Sequence, residues 1–196
     1  MALKTDKRRG DWLLGRWTAK RLAQACLGDR RPLAEYVVDN DPDGAPRLLD
    51  FPQIDLSISH SHGLAFCALS EGGKLGADIE RIEARSSGFV GDYFTDDEIG
   101  YVRAAAPDVQ DTLVTVIWSA KEAALKALRL GLRADTRAVG CRPQPATATP
   151  AADWLPIEIR IDSDRLGVDA ARMMGWWRMH NEFVLTLAAL MAARTF

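Results

Sequence analysis

The hydrophobic period of this chain switches between helical and extended in an order that few folds can satisfy. Over residues 9–27, Leu14, Leu22 and Ala25, with Leu13 and Trp17 beside them, recur at helical spacing, and Gly28 is placed to stop the helix. A turn-rich passage, Asp39-Asn40-Asp41-Pro42-Asp43-Gly44-Ala45-Pro46, then precedes Ile54, Leu56 and Ile58, which alternate with Asp55, Ser57 and Ser59 as in a half-buried strand. Residues 64–69 form a second short apolar run, and Glu71-Gly72-Gly73-Lys74 has the composition of a hairpin turn. Beyond it Leu75, Ala77 and Ile79 alternate with Gly76, Asp78 and Glu80, so the middle of the chain predicts a β-meander.

The period then returns to helical. Thr95-Asp96-Asp97-Glu98 spells a capping box for a helix running to about Ala106, before Pro107, and a second helix is expected over 111–130, ending at Gly131. After a Pro/Ala/Thr-rich loop over 143–152, Ile157, Ile159 and Ile161 alternate, and residues 176–179 and 183–190 can pair across His180-Asn181-Glu182. Helix then strands, twice over, predicts an α+β fold of two similar halves, residues 1–75 and 76–196, within one compact unit.

Charge narrows the function. The chain has 25 Lys plus Arg against 27 Asp plus Glu, net -2, which gives no reason to expect a nucleic-acid binder. Its cations are uneven: Lys4, Lys7, Arg8, Arg9, Arg16, Lys20 and Arg21 stand near the start against only Asp6 and Asp11, either a solvated helix face, which charge alone favours, or a local patch suited to an anionic ligand or partner. Cys26, Cys67 and Cys141 are an odd number without close spacing, so neither a disulfide framework nor a zinc knuckle is indicated. The opening residues lack an apolar signal region and the apolar stretch over 183–193, broken by Thr186, is too short to span a bilayer; a cytoplasmic protein with no membrane contact is expected.

Asp78 and Glu80, two apart on a strand, share a face. Such a pair is either an ordinary exposed acidic face, neutralised by Arg or Lys, or a seat for a hard cation such as Mg2+. Glu122 and Lys126 are i and i+4 on a helix, where they form a surface ion pair or serve phosphoryl chemistry, the acid on a metal or proton and the ammonium on a phosphate oxygen. His60 and His62 alternate so that both can face one way; with His180 the sole other histidine a zinc site is not indicated, and an alternative is that Ser59 and His60 donate to a phosphate. No G-x-S-x-G elbow, P-loop or G-x-G-x-x-G occurs.

In this order and spacing, three segments resemble the signatures of the 4′-phosphopantetheinyl transferase superfamily, most like its two-half, Sfp-type branch. They are Ile58-Ser59-His60-Ser61 for I-S-H-S, Gly76-Ala77-Asp78-Ile79-Glu80 for G-[IVLA]-D-[IVLA]-E, and Trp118-Ser119-Ala120-Lys121-Glu122-Ala123-Ala124-Leu125-Lys126 for the family's [FW]-[SCT]-x-K-E helix segment. The likeness extends to Leu13-Leu14-Gly15-Arg16 and the closing strands. It implies halves related by a pseudo-twofold axis, each a helix on a small, mainly antiparallel sheet. It also implies transfer of the phosphopantetheine arm of coenzyme A to a serine of an apo acyl or peptidyl carrier protein, releasing adenosine 3′,5′-bisphosphate. By carry-over Asp78, Glu80 and Glu122 hold Mg2+, with Glu122 as third ligand or as the base. Lys126 neutralises a phosphate oxygen, Ser59 and His60 bind the nucleotide phosphates, and Lys4 and Arg8 come from the basic patch. Where many members read G-K-P, this chain reads Gly44-Ala45-Pro46-Arg47, and Arg47 is the candidate replacement for the missing lysine near the 3′-phosphate. The expected enzyme is a monomer. The rival readings are a silent coenzyme A or carrier-protein binder and a Mg2+-dependent phosphoesterase.

Overall fold

In a computed structural model describing residues 5–28, 30–144, 153–168 and 172–190, the chain opens on α1 (Asp6–Cys26), capped by the Thr5 hydroxyl accepting the Arg8 amide at 3.2 Å. The face α1 buries is Gly15, Ala19 and Ala23, not the expected leucine stripe; Leu14 and Leu22 are half-buried, and Ala25 is exposed. Small residues win there because the helix backbone lies hard on a sheet: a β-carbon on Gly15 would stand 2.8 Å from the Ile58 side chain, and the Cys67 thiol reaches the Gly15 carbonyl at 3.6 Å.

That sheet is β1 (Val38–Asn40), β2 (Pro46–Leu48), β3 (Ile54–Ser61) and β4 (Leu64–Glu71), antiparallel in that order. The β3–β4 hairpin pairs Ile54 with Glu71 through Ser61 with Leu64. His62 and Gly63 form its two-residue turn with φ of 49° and 79°, the left-handed pair that a tight hairpin demands. His62 therefore leaves the strand alternation and does not share a face with His60; its ring lies 6.3 Å from that of Phe183.

The predicted meander stops after β4. The next strand, β5 (Leu75–Arg81), pairs with β9 (Phe183–Leu190), from Leu75 with Ala189 to Arg81 with Phe183, and heads a second antiparallel sheet. This sheet runs β5, β9, β8 (Met173–His180), β7 (Leu155–Ile161) and β6 (Val139–Pro143). On its β3 side, β5 meets side chains in place of a backbone ladder: Asp55 accepts the Leu75 amide and Ser57 the Ala77 amide, both at 2.8 Å. The polar residues of β3 thus seal the edge of β5 and join the two sheets.

Between β5 and β6 lie α2 (Ser87–Tyr93), α3 (Asp96–Ala104) and α4 (Pro107–Ala127); a short α5 (Ser163–Leu166) follows β7. The capping box is present, Thr95 accepting the Glu98 amide at 3.3 Å and Glu98 the Thr95 amide at 2.7 Å. Each sheet thus carries one 21-residue helix, with α2, α3 and α5 added to the second, the α+β arrangement expected. Of the predicted loop over 143–152, residues 145–152 lie outside the described residues. No helix among the described residues is long and apolar enough to cross a membrane.

The larger core is built on α4, whose Val116, Ile117, Ala120, Ala123, Ala124 and Leu125 bury against the second sheet. An ion pair enters it. Lys121 is fully buried, with its ammonium on Glu98 at 2.9 Å and on the carbonyls of Thr136 and Val139. The other Glu98 oxygen accepts the Cys141 amide at 2.7 Å, so a single ion pair ties α3, α4 and β6 together. Removing one member of a buried pair strands the other, at a cost of roughly 3–5 kcal/mol. Lys121→Met is therefore expected to lower the melting temperature by about 10 °C. Thermal unfolding followed by circular dichroism checks this, and a drop under about 3 °C would show that the pair does not brace the core.

Candidate active site

Strand alternation and helical period bring one carboxylate into the middle of a polar cluster. Asp78, at the centre of β5, points toward α4 and is 1% exposed. One oxygen accepts the Ser59 hydroxyl of β3 at 2.7 Å and the Lys126 ammonium of α4 at 2.6 Å; the other accepts the Ser119 hydroxyl of α4 at 2.7 Å. Ser119 also meets Thr186 of β9 at 2.8 Å. The Lys126 ammonium completes its bonds on Ser59 at 3.1 Å and the Ala77 carbonyl at 3.2 Å, with Glu122 at 3.8 Å. The Glu122–Lys126 pair is thus no free surface pair but one side of a buried charge cluster.

The approach that makes this possible is set by Gly76. A β-carbon there would lie 1.7 Å from the Ala123 carbonyl oxygen, so β5 and α4 touch through backbone. Two residues on, Asp78 falls beside Ser119, Glu122 and Lys126, which lie on one face of α4 at i, i+3 and i+7.

Electrostatics follow the geometry. Burial, with Asp78 and Glu80 nearby, pushes the Glu122 carboxyl up to about 8, although Lys126 opposes it. Burial and Asp78 push Glu80 up to about 7, against the opposing charges of Arg85, at 3.1 Å, and Lys126. Burial alone would lower Lys126, but Asp78 and Glu122 outweigh it and hold it above its ordinary value, fully charged at neutral pH. Three acids thus crowd around one lysine, with Arg85 shared between Glu80 and Glu83. Among the described residues, no three His, Cys, Asp or Glu side chains are gathered as a metal-holding group. The donors themselves are hard carboxylate oxygens of the type Mg2+ takes, and a dication beside them would lower the raised proton affinities of Glu80 and Glu122.

The other expected site residues are dispersed. His60 is exposed and stands on the opposite face of β3 from Ser59, the face on which Ile58 meets α1 in alternate register. Arg8 is exposed in the first turn of α1, and Lys4 lies outside the described residues. Arg47 is paired with Asp41 at 3.3 Å and Asp39 at 3.9 Å. It lines a cavity of about 570 Å³ with Lys74, Asp55 and Arg129. A smaller cavity, about 230 Å³, lies between Gly44-Ala45-Pro46 on one side and Ser57, Lys126 and Arg129 on the other. Sequence reasoning passed over Ser119 and Thr186. Thr186 carried a signal, as the lone polar residue inside the apolar run of β9, and Ser119 stands one turn before Glu122.

A model of the 4′-phosphopantetheinyl transferase superfamily matches residues 74–173. That span includes Asp78, Glu80, Ser119, Glu122 and Lys126, while Ser59 and Thr186 fall outside it. No curated protein matches the chain. Among solved structures, it is similar to the crystal structure of holo-[acyl-carrier-protein] synthase (AcpS) from Neisseria meningitidis, with a TM-score of 0.48 and 17% identity, covering 61% of this chain and 98% of that chain.

Proposed function

From the match over half its length, the chain belongs to the 4′-phosphopantetheinyl transferase superfamily, and we propose that it moves the phosphopantetheine arm of coenzyme A onto a serine of an apo acyl or peptidyl carrier protein. The observation that carries this reading is the convergence of Asp78 and Glu80 from β5 with Ser119, Glu122 and Lys126 from α4 beside a cavity that Lys126 itself lines.

In the reaction the carrier serine oxygen bonds to the phosphorus bearing pantetheine, and the bond from that phosphorus to the bridging oxygen breaks, releasing adenosine 3′,5′-bisphosphate. The serine proton needs an acceptor. A general base works best with a proton affinity near the working pH, and Glu122, lifted to about 8, falls in that range. Lys126, kept charged by Asp78 and Glu122, offsets negative charge on a phosphate oxygen in the cavity it lines. Asp78, with both oxygens bonded, holds Lys126 and Ser119 in register and is the group on which their positions depend. Asp78 and Glu80 would hold Mg2+, with Glu122 as third ligand where it does not serve as the base; when bound, the ion supplies positive charge to the phosphate oxygens. The nucleotide end of coenzyme A is assigned to the space between Gly44-Ala45-Pro46 and Lys126.

Intact-protein mass spectrometry of apo carrier proteins incubated with the protein, coenzyme A and Mg2+ tests this. A gain of about 340 Da on the carrier is expected, lost in EDTA. Glu122→Gln keeps the shape but neither accepts the proton nor binds a cation as well, and is expected to slow transfer at least about 100-fold. Coenzyme A cleaved without any gain of carrier mass would replace transfer with phosphoesterase activity, and binding without cleavage would point to a silent relative.

A further inference from the structure

Helix α4 does not end where glycine would end it. Its C-terminal turn closes with the Arg129 amide on the Lys126 carbonyl at 2.9 Å and the Leu130 amide on the Leu125 carbonyl at 3.0 Å, the paired bonds of a Schellman stop. The left-handed position of that stop is occupied by Arg129, at φ 59°, where glycine is the usual residue; Gly131 comes two residues later. A side chain held there at steric cost needs a compensating contact.

Arg129 has three. Its guanidinium donates to Asp41 at 2.6 Å, to Asp43 at 3.3 Å and to Asp55 at 3.2 Å. Each acid has a further task. Asp43 accepts the Ala45 amide at 3.0 Å, and Asp55 accepts the Leu75 amide that starts β5. The Asp41 backbone exchanges bonds with its own turn, its amide donating to the Ala45 carbonyl and its carbonyl accepting the Gly44 amide, each at 2.8 Å. One fork thus joins the last turn of α4, three residues after Lys126, to the turn carrying Gly44 and Ala45 and to the entry of β5. Arg129 is also a common wall of both cavities.

We propose that Arg129 is a positioning residue that latches the Asp41–Gly44 turn and Asp55 to the end of α4, and thereby sets the opening between Lys126 and Ala45. Because it rests on the reading that this opening takes the nucleotide end of coenzyme A, the latch and the ligand are tested separately. Arg129→Gly removes the guanidinium while suiting the left-handed backbone, so the helix stop is retained. Hydrogen exchange of the peptide covering residues 41–48, measured without coenzyme A, is expected to quicken about tenfold. In the transfer assay, KM for coenzyme A is expected to rise about tenfold while kcat falls no more than about twofold, a split that general loss of structure would not produce. Asp43→Asn, which keeps the Ala45 bond but weakens the fork, should shift both in the same direction by less.

Unchanged exchange over 41–48 in Arg129→Gly overturns the latch. Faster exchange with unchanged KM, or with kcat falling as far as KM rises, overturns the positioning role. A wild-type protein that neither binds nor processes coenzyme A overturns the functional reading and the positioning role with it, and is recognised without any variant.

Discussion

Gly76→Ala is expected to lower the melting temperature by roughly 10 °C or more and to abolish transfer even where the protein remains folded. The added β-carbon would lie 1.7 Å from the Ala123 carbonyl oxygen and 2.8 Å from the Ala127 amide nitrogen. Both are backbone atoms of α4, so no side-chain rotation relieves the overlap, and either the helix or β5 must move. Overpacking that side chains can absorb costs about 1–3 kcal/mol; a backbone collision exceeds that. The movement separates Asp78 from Ser119 and Lys126, whose bonds of 2.7 and 2.6 Å allow no slack. Gly100→Ala is the control. It stands exposed in α3, its added β-carbon would meet nothing within 4 Å, and alanine suits a helix, so a melting temperature within a few degrees of wild type is expected. Similar melting curves for the two variants would show that the β5–α4 contact does not organise the site.

Asp78→Asn is expected to reduce transfer at least about 100-fold with the fold retained, the scale of loss when one group of a preorganised electrostatic site is removed. Asparagine keeps the size of the side chain but surrenders the charge that holds Lys126, and its amide nitrogen cannot accept from whichever of Ser119, Ser59 or Lys126 it faces. Lys126 is 29% exposed on its side chain and keeps Glu122 as a partner, so it remains solvated and paired, and the helix survives. Ser119→Ala, which removes one of the three donors to Asp78, should cost far less, about tenfold. The carrier mass shift measured as a rate, with circular dichroism on the same samples, separates these outcomes. A rate for Asp78→Asn within tenfold of wild type would remove Asp78 from the centre of the site.

Much of the site was legible because its residues lie in two short segments whose geometry is local. Alternation alone puts Asp78 and Glu80 on one face of β5, and the 3.6-residue period alone puts Glu122 beside Lys126. The Thr95–Glu98 box was readable for the same reason, since both of its bonds span three residues. What joins the two segments was not legible. Ser59 and Asp78 are 19 residues apart, Asp78 and Lys126 48, and Arg129 and Asp41 88. Lys121 belongs to the same helix segment as Glu122, yet one points into the core toward Glu98 and the other toward Asp78.

The chain's sequence by itself determined the periods, the Thr95 capping box, the helix stop at Gly28 and the family signatures, all of which depend on neighbours within about one helical turn or on the φ that a single residue tolerates. The tertiary structure alone decided that β5 leaves the meander for β9, that small residues and not leucines form the inner face of α1, and that Ser59 turns to the carboxylates while His60 turns away. It also decided that an arginine, not a glycine, closes α4. The physical reason is common to all four. A strand edge, a close backbone contact and a buried charge are each satisfied by whichever distant group reaches them, and that partner exists only once the chain has folded.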